Sequence, residues 1–222
     1  GLSNYGLKAN PKIMTRTALE IKKVIKNSGR SVRIVPNKSA TLSTAQVLHN
    51  HLAGGERGWE LVLMRKGNST LVCMTMAEQD IEAYTARDQA RPKRDAFVGM
   101  LPPKLAQTII NLALGTTPVK DARVLDPFCG TGVVPQEALL MGADALGSDL
   151  EPRMVDYSTE NIFWLRDKFA RATGYVRIEL GDACTHTWQQ PITTIAAETY
   201  LGRPFASIPK PEVLQEVIGP VN

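Results

Sequence analysis

Apolar residues recur at helical spacing near the start of the chain. Met14, Ala18, Ile21 and Ile25 follow one another at steps of four, three and four residues, which predicts an amphipathic helix over 11–27. Pro11 suits the first helical position, and Asn27-Ser28-Gly29 supplies the stop. The opposite face carries Lys12, Arg16, Lys22, Lys23 and Lys26. Residues 31–35 alternate as a strand, and Ser43 or Thr44 can cap a second helix reaching Leu52. Two further strands, 59–64 and 70–76, turn at Lys66-Gly67-Asn68-Ser69. With a short first strand over 2–7, these elements predict a small α/β layer domain over 1–84.

Residues 85–100 are polar, and Pro92 forbids a continuous helix there, so they read as a linker. Pro102 or Pro103 then opens a helix that Gly115 stops after Leu114. Beyond it, strand patterns near 123–128, 144–149, 175–180 and 192–198 alternate with helices over 133–140 and 151–172. Such alternation predicts a parallel sheet with helices on both faces, a Rossmann-like α/β domain over 101–222. Only four strands are visible before a short closing helix at 212–218. Ending there would leave the fourth strand as an open edge. The domain therefore reads as truncated after that strand, completed by the remainder of a longer chain or by a partner subunit.

Composition narrows the class. The 222 residues are 43% hydrophobic, ample for a core. Cys73, Cys129 and Cys184 form no C-x-x-C pair, which speaks against a disulfide framework or zinc ribbon and for a reducing, cytoplasmic setting. No run of 18 apolar residues and no signal peptide is seen, and the chain starts with Gly1 rather than Met. The net charge of +4 is unevenly spread. Residues 1–40 hold nine Lys/Arg, among them Arg33, against Glu20 alone, whereas the remainder has 17 basic and 21 acidic residues. A basic module joined to a mildly acidic one points to a polyanion at the first.

The chemistry concentrates in Asp126-Pro127-Phe128-Cys129-Gly130-Thr131-Gly132. The glycines sit at a strand-to-helix turn, where a missing Cβ lets a ligand approach the backbone. Asp149 follows 23 residues after Asp126, at the end of the next strand. A carboxylate there can accept hydrogen bonds from a ribose diol. A dinucleotide fingerprint needs a third glycine or alanine where Pro135 stands, and no Gly-Lys-Ser/Thr makes a P-loop. S-adenosylmethionine needs the turn and the ribose carboxylate but brings no pyrophosphate. Asp126 suits its methionine ammonium. The ordinary alternative is a plain strand–turn–helix corner.

Several segments together resemble a known family. They are Arg87-Asp88-x-x-Arg91-Pro92, Leu101-Pro102-Pro103-Lys104-Leu105-Ala106, Asn111-Leu112-Ala113 and Leu125 through Gly132. In order and spacing over roughly residues 80–165 they resemble the THUMP-containing tRNA guanosine-N2 methyltransferases of the archaeal and eukaryotic type, which act on guanosine ten. Ser31-Val32-Arg33 and Gln79-Asp80-Ile81 carry a weaker similarity to a THUMP RNA-binding module. The resemblance implies S-adenosyl-L-methionine held by Asp126, Phe128, Gly130, Gly132, Asp149 and, at the adenine amine, Asp182. It also implies that helix 103–114 covers the methionine end. tRNA would be held by Lys12, Arg16, Lys22, Lys23, Lys26 and Arg33, and by Arg87, Arg91, Lys93 and Arg94 at the domain junction.

The family carries Asp/Asn-Pro-Pro-Tyr after the fourth strand, whereas this chain reads Ala196-Ala197-Glu198-Thr199-Tyr200-Leu201-Gly202-Arg203. An ungapped match places Glu198 at the carboxylate and keeps Gly202-Arg203; a one-residue shift keeps Tyr200 as the aromatic. The guanine exocyclic amine is a poor nucleophile because its lone pair is delocalised. An acceptor on its N–H groups and a stacking aromatic would orient that lone pair, which makes Glu198 and Tyr200 the candidate catalytic pair.

Two other classes stay open: a non-catalytic RNA-binding protein on a methyltransferase-like scaffold, and a DNA amino-methyltransferase. His49 and His51 lie on different helix faces and predict no metal site. His186 near Asp182 reads as a loop residue, Trp164 as core, and Cys129 as a packing residue with no base beside it. Trp188 reads as buried, with stacking on a flipped base as its other reading.

Overall fold

The computed structural model describes residues 1–95, 100–189, 191–199 and 209–218. They divide into two compact units, Gly1–Asp80 and Ile81–Asn222.

The first unit holds β1 (Leu2–Tyr5), α1 (Pro11–Asn27), α2 (Thr44–His49), β2 (Leu61–Lys66) and β3 (Ser69–Met74). The sheet runs β1-β2-β3, with β1 parallel and β3 antiparallel to β2. α1 starts where the Asn10 side chain accepts the Ile13 N–H at 3.0 Å, and Pro11 follows at the first helical position. Its inward residues Met14 and Ala18 cluster with Leu2, Ile21, Leu61 and Leu63. Ser43 and Gln46 form a reciprocal capping box at α2.

The strand expected over 31–35 does not form. The free side of β1 is bonded instead by Asn37, whose Nδ2 donates to the Leu2 carbonyl at 2.8 Å, and by the Ala40 carbonyl, which accepts the Asn4 N–H at 3.0 Å. The alternation has another cause. Ile34 packs toward the α1 cluster, while Val35 joins Leu42, Val47 and Leu52 in a second one.

The second unit contains α3 (Ile81–Gln89), α4 (Pro103–Leu114), a single 3-10 turn (Val119–Asp121), β4 (Arg123–Asp126), α5 (Val133–Met141), β5 (Asp144–Asp149), α6 (Pro152–Lys168), β6 (Val176–Leu180), β7 (Thr194–Ile195) and α7 (Pro211–Ile218). The four strands are all parallel, in the order β6-β5-β4-β7. The predicted Rossmann-like layering is therefore present. Ala106, Ile110 and Leu114 of α4 share one core with Val124, Val134, Ala138, Leu139, Ala145 and Leu165.

The expected linker is helical at its start. Its first residues belong to α3, which ends at Gln89, before Pro92, and residues 96–99 lie outside the described residues. Arg87 is fully buried, and its Nε donates to Glu137 Oε1 on α5 at 2.7 Å. Gln107 Nε2 on α4 donates to the other Glu137 oxygen at 2.6 Å, and the Tyr84 hydroxyl bonds to Gln107. Burial pushes the Glu137 carboxyl up, and the Arg87 guanidinium and Gln107 amide pull it back. A polar composition concealed an ion pair that fastens α3 to the core.

β7 is shorter than the pattern over 192–198. The Ala196 N–H still reaches the Leu125 carbonyl at 3.0 Å, but β4 itself ends at Asp126. α6 stops at Lys168, where Phe169 turns to extended backbone and meets Trp164 edge-on at 6.2 Å.

Candidate active site at the ends of the parallel strands

In a sheet ordered β6-β5-β4-β7 the direction of winding reverses between β4 and β7. Ligands of open α/β sheets bind in the crevice beyond the carboxyl ends of the strands at that reversal. Asp126 ends β4, Asp149 ends β5, and Glu198 lies just past β7.

The loop from Pro127 to Gly132 is held from three sides. Gly130 and Gly132 have φ of 51° and 82°, in the region that favours glycine. A Cβ on Gly132 would also come within 2.8 Å of Ser158 Oγ, so glycine is required there on two counts. The Ser158 hydroxyl donates to the Gly130 carbonyl at 2.7 Å. Asn161 Nδ2 donates to the Thr131 carbonyl at 2.9 Å and the Lys93 carbonyl at 3.0 Å, and its oxygen accepts the Lys93 N–H at 3.0 Å. Gln136 Nε2 donates to the Gly132 carbonyl at 2.7 Å. The carbonyls of Gly130, Thr131 and Gly132 are thereby satisfied within the protein.

Asp149 is part of the same device. Its Oδ2 accepts the Gly130 N–H at 2.8 Å and its Oδ1 the Glu151 N–H at 3.0 Å. A carboxylate has about four acceptor positions, so two remain for a diol. Asp126 is buried, 3% exposed, and its Oδ1 accepts the Phe128 N–H at 3.0 Å. Burial pushes its carboxyl up to about 7, against the Phe128 hydrogen bond, with Asp149 and Glu198 adding repulsion. Three carboxyl groups from the ends of three strands thus act on one small region. The exposed apolar side chains Phe128, Leu150 and Leu180 stand at the ends of β4, β5 and β6, and a flat aromatic ligand could rest on them.

Cys129 is buried, with Sγ 3.6 Å from Ser158 Oγ, and burial drives its thiol far above the ordinary range. Its packing reading agrees with that, since the thiolate is the nucleophilic form. A Cβ on Gly147 would lie 2.8 Å from Ile178 Cδ1 and 3.1 Å from Cys129 Cβ, so the loop runs close to β5 there.

Asp182 sits just past β6, exposed, and its Oδ1 accepts the Cys184 N–H at 2.9 Å in a turn. His186 Nε2 is 3.5 Å from Glu179 Oε2, and its ring meets Trp188 edge-on at 5.1 Å. Glu198 is exposed; Tyr200, and with it Gly202-Arg203, lies outside the described residues. Among the described residues no group of three or more His, Cys, Asp or Glu could hold a metal ion.

The basic candidates separate. Lys12, Arg16, Lys23 and Lys26 are exposed on α1, with Arg16 paired to Glu20 at 3.3 Å. Lys22 is half-buried on the same helix, and the Arg33 guanidinium donates to Asn50 Oδ1 at 2.7 Å. Arg94 is exposed and Lys93 pairs with Glu160 at 3.3 Å. Arg87 and Arg91 are a correction: at 2% and 4% exposure neither can reach an RNA phosphate. Arg87 serves the Glu137 pair, and Arg91 is packed away with Nη2 3.7 Å from Met100 Sδ.

Sequence reasoning passed over Ser158, Asn161, Gln136 and Leu150. A signal for two of them existed. Ser158 and Asn161 are polar residues on the α6 face that otherwise buries Met154, Ile162 and Leu165. A polar residue on an inward stripe marks a backbone that needs partners.

Part of the chain is similar in sequence to known methyltransferases. Residues 91–184 match the family described as RMKL-like, methyltransferase domain. The tRNA (guanine(10)-N2)-dimethyltransferase of Methanothermobacter thermautotrophicus is 45% identical over 78 residues, covering 34% of this chain and 22% of that protein. The protein of the same name from Methanocaldococcus jannaschii is 34% identical over 95 residues, covering 42% of this chain and 26% of that one. The matched region thus spans about a quarter of the length of those relatives. The crystal structure of TrmN from Thermus thermophilus aligns at a TM-score of 0.42 and 17% identity, over 82% of this chain and 44% of that one.

Proposed function

We propose, from the match of residues 91–184 to the RMKL-like methyltransferase domain, that the chain takes part in methyl transfer from S-adenosyl-L-methionine to the exocyclic N2 amine of guanosine in tRNA. The observation that carries the proposal is the glycine loop tied to Asp149, with Asp126 buried beside it. The residues fit the cofactor. Asp149 keeps acceptor capacity for the ribose hydroxyls, and Phe128 and Leu150 offer apolar surface to a purine. Asp126, 3% exposed, holds the loop through the Phe128 N–H, and its proposed action on the methionine ammonium is through its charge rather than by contact. Asp182, at the neighbouring strand end, is proposed to face the adenine amine.

When bound, the cofactor supplies an electrophilic methyl group on a sulfonium. The protein's part is orientation. Glu198, exposed beside the crevice, would accept hydrogen bonds from the guanine amine and align its lone pair, with Tyr200 as the proposed stacking aromatic. The relatives' name supports guanine N2 as the acceptor, and the cations on α1 support RNA as the polymer.

Incubation of the chain with methyl-labelled cofactor and bulk tRNA, followed by nucleoside mass spectrometry, tests the proposal. Labelled N2-methylguanosine is expected, with activity lost on Asp149→Ala and reduced at least about tenfold by Glu198→Ala. Label in duplex DNA instead of tRNA would overturn the substrate. With Glu198 matched to the carboxylate, Thr199-Tyr200 stand in place of the two prolines, which favours one second reading, a cofactor-binding RNA-binding protein that transfers nothing. Cofactor binding without any labelled nucleoside would select it.

A further inference from the structure

The first unit contains a cavity of about 390 Å³ between α1, residues 30–35 and residues 55–59. Its volume lies at the small end of ligand pockets, roughly 300–1,000 Å³. The lining has two characters. Ala18, Ile21 and Ile25 give it an apolar wall on α1, whereas Lys22, Arg30, Arg33 and Arg57 bring four cations against the single acid Glu56. Among the described residues Lys22, Arg30 and Arg57 form no ion pair. The Arg33 guanidinium is fixed by Asn50 at 2.7 Å through one of its five N–H groups, leaving the others to bind.

Trp59 completes the lining. Its indole N–H donates to the Gly55 carbonyl at 3.0 Å, so the polar edge is satisfied, yet the residue is 47% exposed. An exposed indole with a satisfied N–H has its π-face left to offer. Guanidinium and ammonium groups without an ion-pair partner are available to an anion, and an apolar wall with an aromatic suits a flat, weakly polar partner. One ligand class carries both.

We infer that this cavity binds a nucleoside phosphate, with the phosphate on Arg30, Arg57 and Lys22 and the base against Trp59 and the α1 wall. The site deepens the RNA-binding part of the proposed function and rests on it. It assigns to the basic unit a nucleotide pocket in addition to the exposed cations of α1, one that takes an unpaired nucleotide because a base within a duplex offers no free face. An acidic peptide would satisfy the cations but leave the aromatic and the apolar wall unused.

The test is fluorescence anisotropy of labelled hexauridylate on the whole chain, with uridine monophosphate, inorganic phosphate and hexaglutamate as competitors at matched ionic strength. Arg30 and Arg57 are exposed, and R30E/R57E is compared with the charge-matched K120E/K168E in the other unit, also at exposed positions. R30E/R57E is expected to weaken hexauridylate binding by at least about tenfold more than the control pair does. Uridine monophosphate should compete better than phosphate or hexaglutamate. Competition by the monophosphate as strong as by unlabelled hexamer indicates a free nucleotide as the ligand, and a much tighter hexamer indicates RNA.

Equal affinities of the two double variants, with matching thermal unfolding, would overturn the pocket while tRNA binding by the unaltered chain keeps the RNA reading. Hexaglutamate outcompeting the monophosphate would overturn it in favour of a peptide. A chain that binds neither hexauridylate nor tRNA would remove both.

Discussion

The buried carboxyl of Asp126 is held near 7 by burial, Asp149 and Glu198, against an unfolded value of 3.8. Between those values the folded chain binds the proton and the unfolded chain does not. The contribution to stability is therefore fully present below about pH 4 and lost as pH rises through 7. A rise from 3.8 to about 7 corresponds to at most about 4 kcal/mol. Asp126→Asn keeps an oxygen for the Phe128 N–H and removes the ionisable proton. The variant should lose less melting temperature than the unaltered chain between pH 5 and pH 8. Parallel losses in the two proteins would mean that Asp126 ionises as an ordinary carboxylate.

At the scale of elements, side chains rather than ladder bonds fasten several segments. α3 has little apolar patterning, and its anchor is the Arg87–Glu137 pair, flanked by the Tyr84 ring 4.3 Å from the guanidinium. Removing one partner leaves a charge buried without compensation. Arg87→Ala is expected to cost about 3–5 kcal/mol in urea unfolding, whereas Arg87→Met with Glu137→Leu should recover most of it. If the single variant unfolds like the parent, the pair holds nothing. The glycine loop follows the same logic, since Ser158 and Asn161 on α6 close its hydrogen bonds from outside its own sequence.

For the whole molecule, the division of charge matches the division into units. Nine of the basic residues fall in the first 40 residues, on the same unit as the cavity, while Asp126, Asp149 and the glycine loop between them lie in the second. If exposed cations of α1 contact phosphates, the logarithm of tRNA affinity should fall linearly with the logarithm of salt concentration. Replacing Lys12, Lys23 and Lys26 together by alanine should lower that slope by about 2–3. An unchanged slope would place the RNA elsewhere.

The α/β class, the parallel sheet of the second unit, α1 with its first-position proline and its stop, and the placing of Asp126 and Asp149 at strand ends with Gly130 and Gly132 in the turn were legible in the sequence by itself. Each is written locally: a hydrophobic period, a capping residue, a glycine where φ is positive. Other features depended on residues distant in the chain. Arg87 looked like a surface cation until Glu137, fifty positions on, took it into the core. The strand expected over 31–35 lacked a partner because Asn37 and Ala40 already occupied the edge of β1. Alternation can say that a segment has two faces and polarity that it favours water. Only packing decides which edge is free to pair and which charge is left exposed, because both are settled by competition among segments that are neighbours in space alone.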